Sequence, residues 1–279
     1  MSQFIQLNQY QLIEAHGVDA EKYLQGQLTT DVVALPSGAT TLTAHCDPKG
    51  KMSAIFRLLK VSNEQFFLLV KKDLLPSALD ALKKYAVFSK VSFDLRDWQI
   101  VGVFGEKCGK IQPHFTLEID EQRAILLNET VLPISFNADE KNWDIADIQA
   151  GMPNLSAETQ NKFIPQALNL QAIEHAISFT KGCYIGQETV ARAKYRGANK
   201  RAMFIFKAQT QQEVEIGSEI EMQIESNWRK TGTITSAVNL DGVLWLQVVM
   251  NNDVEENQVF RLPQDGTILE QKTLPYSLV

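Results

Sequence analysis

The sequence predicts an α+β protein that ends in a small antiparallel β-barrel. Two patterns carry that prediction. Up to about residue 104 the chain runs strand, strand, helix, strand, strand, an order that suits a helix packed on an antiparallel sheet. From about Arg201 it breaks into short alternating segments punctuated by turn residues, the texture of a barrel. A chain of 279 residues is long enough for two or three domains with substantial cores.

Each element has its own signal. Residues 18–28 read as a helix, with Val18, Tyr23, Leu24 and Leu28 roughly on one face and Asp19 as N-cap. Segments 52–60 and 65–71 read as strands around a polar turn at Ser62, Asn63 and Glu64. Leu75, Leu79, Leu82 and Tyr85 are spaced for a helix over 74–85, and strands follow at 87–93 and 99–104. Residues 105–141 carry no clear pattern. A helix over 187–194 is opened by Gly186 and ended by Gly197. The barrel strands are 202–207, 218–224, 231–237, 243–249 and 258–262, separated by Gly217, Gly232 and Asp241-Gly242 among others.

Composition narrows the function classes. With 44% hydrophobic and 22% charged residues, the chain is an ordinary globular one. A net charge of −6 argues against coating nucleic acid through a global field, while leaving a local basic site open. Three cysteines, Cys46, Cys108 and Cys183, form no CxxC pair, which fits a reducing compartment without a disulfide framework. The first residues lack the basic and apolar regions of a signal peptide. Apolar runs such as 66–70 are far too short to span a membrane. The expectation is a cytoplasmic monomer.

The segment KGCYIGQE, residues 181–188, concentrates the chemistry: an ammonium, a thiol, two glycines and a carboxylate. A thiolate is the reactive form of cysteine. It is favoured by a neighbouring Lys181 and by the N-terminus of the following helix. Glycines on both sides permit a tight path with little bulk around the sulfur. Against this stands the plain reading of Cys183 as a small buried turn residue. A second cluster is basic: Arg192, Lys194, Arg196, Lys200 and Arg201, with Tyr195 among them. It suits a solvated helix end, an acidic ligand tail or RNA phosphates with a stacked base. In the third, His45-Cys46-Asp47, no second ligand pair accompanies the first, and Asp47-Pro48-Lys49-Gly50 reads as a turn rather than a metal site. Walker, dinucleotide-binding, HExxH and nucleophile-elbow motifs are missing from the sequence.

KGCYIGQETVARAKYRGANKR, residues 181–201, resembles the signature of YgfZ-type folate-binding proteins, relatives of the glycine-cleavage T-protein (aminomethyltransferase). GVDAEKYLQGQLTTDV, HCDPKGKM, KKYAVFSKV, FIPQALNL, RKTGTITSAV, LWLQVVMNND and LPYSL match in the same order. The resemblance implies a three-lobed ring. Its folate-binding region covers residues 1–200, as a discontinuous lobe (1–45 plus 142–200) with an inserted α+β lobe (46–141). The barrel covers 201–279. It implies reduced folate (tetrahydrofolate) as cofactor, stacked on two aromatics that fall on Trp143 and Tyr10, where the family usually carries tryptophan. Arg192 and Arg196 would meet the folate tail, and no resident metal is implied. Cys183 would be the functional thiol, tuned or positioned by Lys181. The implied role is an accessory factor supporting iron–sulfur proteins or their assembly machinery, and through them the modification of some tRNAs. Direct tRNA binding is a weaker expectation. A folate-dependent aminomethyl transferase is the alternative enzyme reading.

Overall fold

The computed structural model describes residues 2–105, 111–197, 199–255 and 257–278; Cys108 lies outside them. The elements run β1 (Gln3–Gln6), β2 (Tyr10–His16), α1 (Ala20–Gln27), β3 (Thr40–Cys46), β4 (Met52–Ser62), β5 (Gln65–Lys71), α2 (Leu75–Lys83), β6 (Ser92–Arg96) and β7 (Gln99–Phe104). Then come β8 (Phe115–Glu118), β9 (Arg123–Asn128), α3 (Glu140–Gln149) and α4 (Gln187–Tyr195). The barrel strands are β10 (Arg201–Gln209), β11 (Ile220–Ile224), β12 (Asn227–Thr231), β13 (Thr233–Leu240), β14 (Val243–Asn251), β15 (Phe260–Arg261) and β16 (Ile268–Lys272). The chain divides into two compact units. One comprises Met1–His45, Ser53–Trp143 and His175–Ile185; the other comprises Cys46–Met52, Asp144–Glu174 and Gly186–Val279.

The first unit holds a five-stranded sheet, β3-β4-β5-β2-β6, and a four-stranded one, β1-β7-β9-β8. Their shared core contains Leu12, Leu59, Phe67 and Leu69 from the larger sheet and Ile5, Ile100, Ile125 and Leu127 from the smaller. β4 is buried along most of its length, Ser53, Arg57 and Lys60 included. α1 packs beside α2 and β6: the Tyr23 ring meets Phe93 at 5.9 Å and its hydroxyl donates to the Leu82 carbonyl at 2.6 Å. Burying each such large apolar side chain contributes about 1.5–3 kcal/mol.

The second unit is built on a seven-stranded sheet, β12-β11-β15-β16-β10-β14-β13. Alternate residues Phe204, Phe206, Leu244, Leu246 and Val248 fill its interior with Ile220, Ile234 and Phe260. The edge strand β13 is tied back to the start of β11, with Gly217 N donating to Ile234 O and Ile234 N to Ser218 O. That nearly closes the barrel.

Several expectations are corrected. β2 lies hydrogen-bonded between β5 and β6, so residues 1–45 and 46–141 share one sheet instead of forming separate lobes. The predicted strand at 87–93 is a 3-10 turn at Ala86–Phe88 followed by β6. The predicted strand over 231–237 begins at Thr233 as β13, because Gly232 turns the chain at φ +63° after the separate strand β12. The unpatterned stretch 105–141 holds β8 and β9. Asp19 does not cap α1 through its side chain; its carboxylate accepts from Lys90 N instead, at 2.7 Å.

Candidate functional site: a thiol loop fastened by a buried lysine

The segment carrying Cys183 is stitched to the end of α1. Ser178 N donates to Thr29 O at 2.8 Å, the Thr29 hydroxyl donates to Ala176 O at 2.7 Å, and Ile185 N donates to Gly26 O at 3.2 Å. Ser178 Oγ accepts from Lys181 N at 3.1 Å, which closes the turn before the lysine. Lys181 then reaches under the loop. Its ammonium donates to the carbonyls of Gln25, Leu28 and Thr30, each at 2.6 Å. A helix end leaves such carbonyls without intrahelical partners, and a cation there also opposes the helix dipole favourably.

Of the two expected roles of Lys181, tuning or positioning the thiol, that geometry fits positioning. An ammonium has three donors, and here all three are taken by backbone oxygens. It fastens the loop that carries the thiol. Lys181 is only 8% exposed. Burial pushes its ammonium down to about 7, an effect that Asp31 opposes. The Tyr184 ring, itself buried, lies 4.8 Å from Nζ and closes the pocket around the charge. Between these two buried residues the Cys183 thiol is exposed. Sequence alone did not show the receiving end of the clamp, because it is made of main-chain carbonyls. The only signal was the match of QGQLTTD to a family segment with no side-chain role to assign.

Beyond the thiol, Gly186 adopts φ +81° and forms the N-cap of α4. It packs against the turn after β3. A Cβ at Gly186 would come within 2.6 Å of Asp47 O and 2.9 Å of both Cys46 Cβ and Gly50 Cα. Gly50, at φ +78°, faces Thr189 just as closely. The Asp47 carboxylate accepts from Lys49 N at 2.8 Å and from Lys51 N at 2.9 Å, so HCDPKGKM is a turn built to meet α4. Cys46 is buried, and burial pushes its thiol up. It therefore behaves as a small core residue.

The two aromatics expected to stack a pterin lie elsewhere. Trp143 is fully buried, with Phe104 at 5.4 Å on one side and the Arg123 guanidinium 5.3 Å from its ring. Gly102 is so close that a Cβ there would fall 2.5 Å from the indole. Tyr10 belongs to the same core. Stacking needs an open ring face, and neither residue offers one here. A pterin therefore does not fit against these rings as they stand. The indole Nε1 of Trp143 is buried without a hydrogen-bond partner among the described residues. Arg192 and Arg196 stand exposed at the C-terminal end of α4, where Arg192 pairs with Glu188 at 2.5 Å. Gly197 ends the helix at φ +58°, as its sequence position predicted. Clefts of about 420 and 440 Å³ are lined by other residues, one by Glu14, His16 and Arg96 among others, the other by Phe204, Lys272 and Tyr276 among others.

Comparison with known proteins places the chain. Residues 199–265 match the YgfZ β-barrel domain. A protein named "tRNA-modifying protein YgfZ" from Photorhabdus laumondii is 39% identical, across 98% of this chain and 92% of its own. The chain belongs to the YgfZ family. The family protein from Yersinia pestis is 40% identical over the same shares, and a Haemophilus influenzae protein is 81% identical across 100% of this chain and 99% of its own. In fold, the chain resembles the glycine cleavage system aminomethyltransferase T from Bartonella henselae, with a TM-score of 0.68 at 13% identity, covering 99% of this chain and 86% of that one. An α+β protein with a C-terminal barrel on the T-protein plan is thus established. YgfZ relatives carry tRNA modification in their names. No helix among the described residues is long and apolar enough to cross a membrane.

Proposed function

We propose that the protein supports iron–sulfur enzymes, and through them the modification of some tRNAs, with the Cys183 thiol as its working group and reduced folate as its ligand. The observation that carries this is the contrast within five residues: Lys181 and Tyr184 are buried and fastened, while Cys183 between them is exposed. A loop that merely connected two elements would not need a buried ammonium under it. A Cβ at Gly182 would meet nothing within 4 Å, so there is open space beside the thiol. Such a thiol can attack an electrophile, accept a sulfur atom or hold iron during transfer.

Folate enters through family membership and the T-protein plan. Because Trp143 and Tyr10 are buried, we take its pterin contacts to lie on other residues. Calorimetric titration with tetrahydrofolate tests both points. Saturable binding is expected, and Trp143→Phe, which keeps the core filled, should leave affinity nearly unchanged. A loss of about ten-fold or more in the folded Phe variant returns Trp143 to the site. Absence of binding to the wild type removes folate from the proposal.

A further inference from the structure

The basic end of α4 is unused by the thiol loop, and its geometry differs from that of a small-molecule site. Arg192, Lys194, Arg196, Lys200 and Arg201 are all exposed, and no carboxylate occurs between residues 189 and 201. Tyr195 is 67% exposed in their midst, with Lys194 Nζ 5.9 Å from its ring. The platform beneath is firm. Val190 and Ala193 are buried, and the Gln166 amide donates to Val190 O at 2.6 Å. Asn252 N donates to Lys200 O at 2.9 Å, and Arg201 pairs with Asn251 across the barrel strands.

Small ligands are recognised in concave sites that bury most of their surface. Here the cations stand on a helix end open to solvent, which fits an extended polyanion better than a folate tail. An exposed tyrosine among cations adds a stacking surface for a base. We infer that this patch, Arg192 to Arg201, docks a single-stranded segment of RNA, with the cations on its phosphates and Tyr195 under a base. The inference rests on the tRNA-related reading above and gives it a physical contact.

Fluorescence anisotropy with an unmodified tRNA transcript, measured over a range of KCl concentrations with the full chain, tests it. Affinity should fall linearly with salt on logarithmic axes, by about 0.7 in slope for each single-strand phosphate neutralised. Arg196→Ala combined with Lys200→Ala should flatten that slope by about 1–2. Tyr195→Ala should weaken binding about ten-fold with the slope unchanged. All three side chains are exposed, so the variants should melt as the wild type does. Cys183→Ser should bind the transcript normally, so a failed thiol mechanism and a failed RNA patch give different results. The inference is overturned if the transcript does not bind, if the variants bind it as well as the wild type, or if they lose pentaglutamyl folate instead of tRNA.

Discussion

Trp143 and the loop at 181–185 lie in the same unit and both bear family motifs, yet the structure treats them in opposite ways. Trp143 is enclosed by Phe104, Arg123 and the backbone of Gly102. Cys183 is left open by neighbours that are themselves tied down. The difference teaches that motif residues of one unit can be placed in the core or at the surface, and that only the exposed one is open to a reagent. The contrast between Cys46 and Cys183 repeats the lesson in one residue type: one thiol is buried beneath Gly186, the other open to reagents.

The sharpest way to break this comparison is to truncate the tryptophan. Trp143→Ala empties a core position and should destabilise the protein by about 3–5 kcal/mol in chemical denaturation. A folded Ala variant with near wild-type stability contradicts the core role and reopens Trp143 as a ligand platform.

A smaller effect is expected at the clamp. Lys181→Met leaves three carbonyls without their donor and should cost about 1–3 kcal/mol. Its pH dependence sharpens the point. The folded lysine, held near 7, releases a proton that the unfolded chain keeps up to its ordinary value of 10.5. The unfolded state therefore binds more protons between about pH 7 and 10.5, and the stability contributed by Lys181 rises with pH across that window. Below pH 7 both states are charged and the burial penalty is fully felt. The difference between wild type and Lys181→Met should thus shift in favour of the wild type from pH 7 to 10. A shift the other way means that the three carbonyls hold the proton more strongly than burial expels it.

Much of this was legible in the sequence, for identifiable reasons. The α1 and α2 helices declare themselves through apolar spacing, α4 through helix-prone residues between glycines, and the barrel through its alternating strands. Gly186 and Gly197 marked the ends of α4 because only positive φ fits there. β2 and β3 went unread, since YQLIEAH and TTLTAHC are short and mix polar with apolar residues. The sheet order that brings β2 between β5 and β6 is set by packing over long sequence separations, which no local pattern records. Cys183 and Lys181 are visible in the sequence as a pair, but the carbonyls at 25, 28 and 30 toward which the lysine turns leave no side-chain signal there.

The smallest effect on stability should accompany the largest effect on function. Cys183→Ser changes one exposed atom and should alter unfolding free energy by no more than about 0.5 kcal/mol. The decisive measurement expresses this variant in a strain lacking the protein and quantifies the modified nucleosides of total tRNA by mass spectrometry. Wild type and Cys46→Ser should restore modification, while Cys183→Ser should leave it at the level of the empty strain despite an unchanged melting temperature. Full restoration by Cys183→Ser contradicts the claim that the exposed thiol does the work.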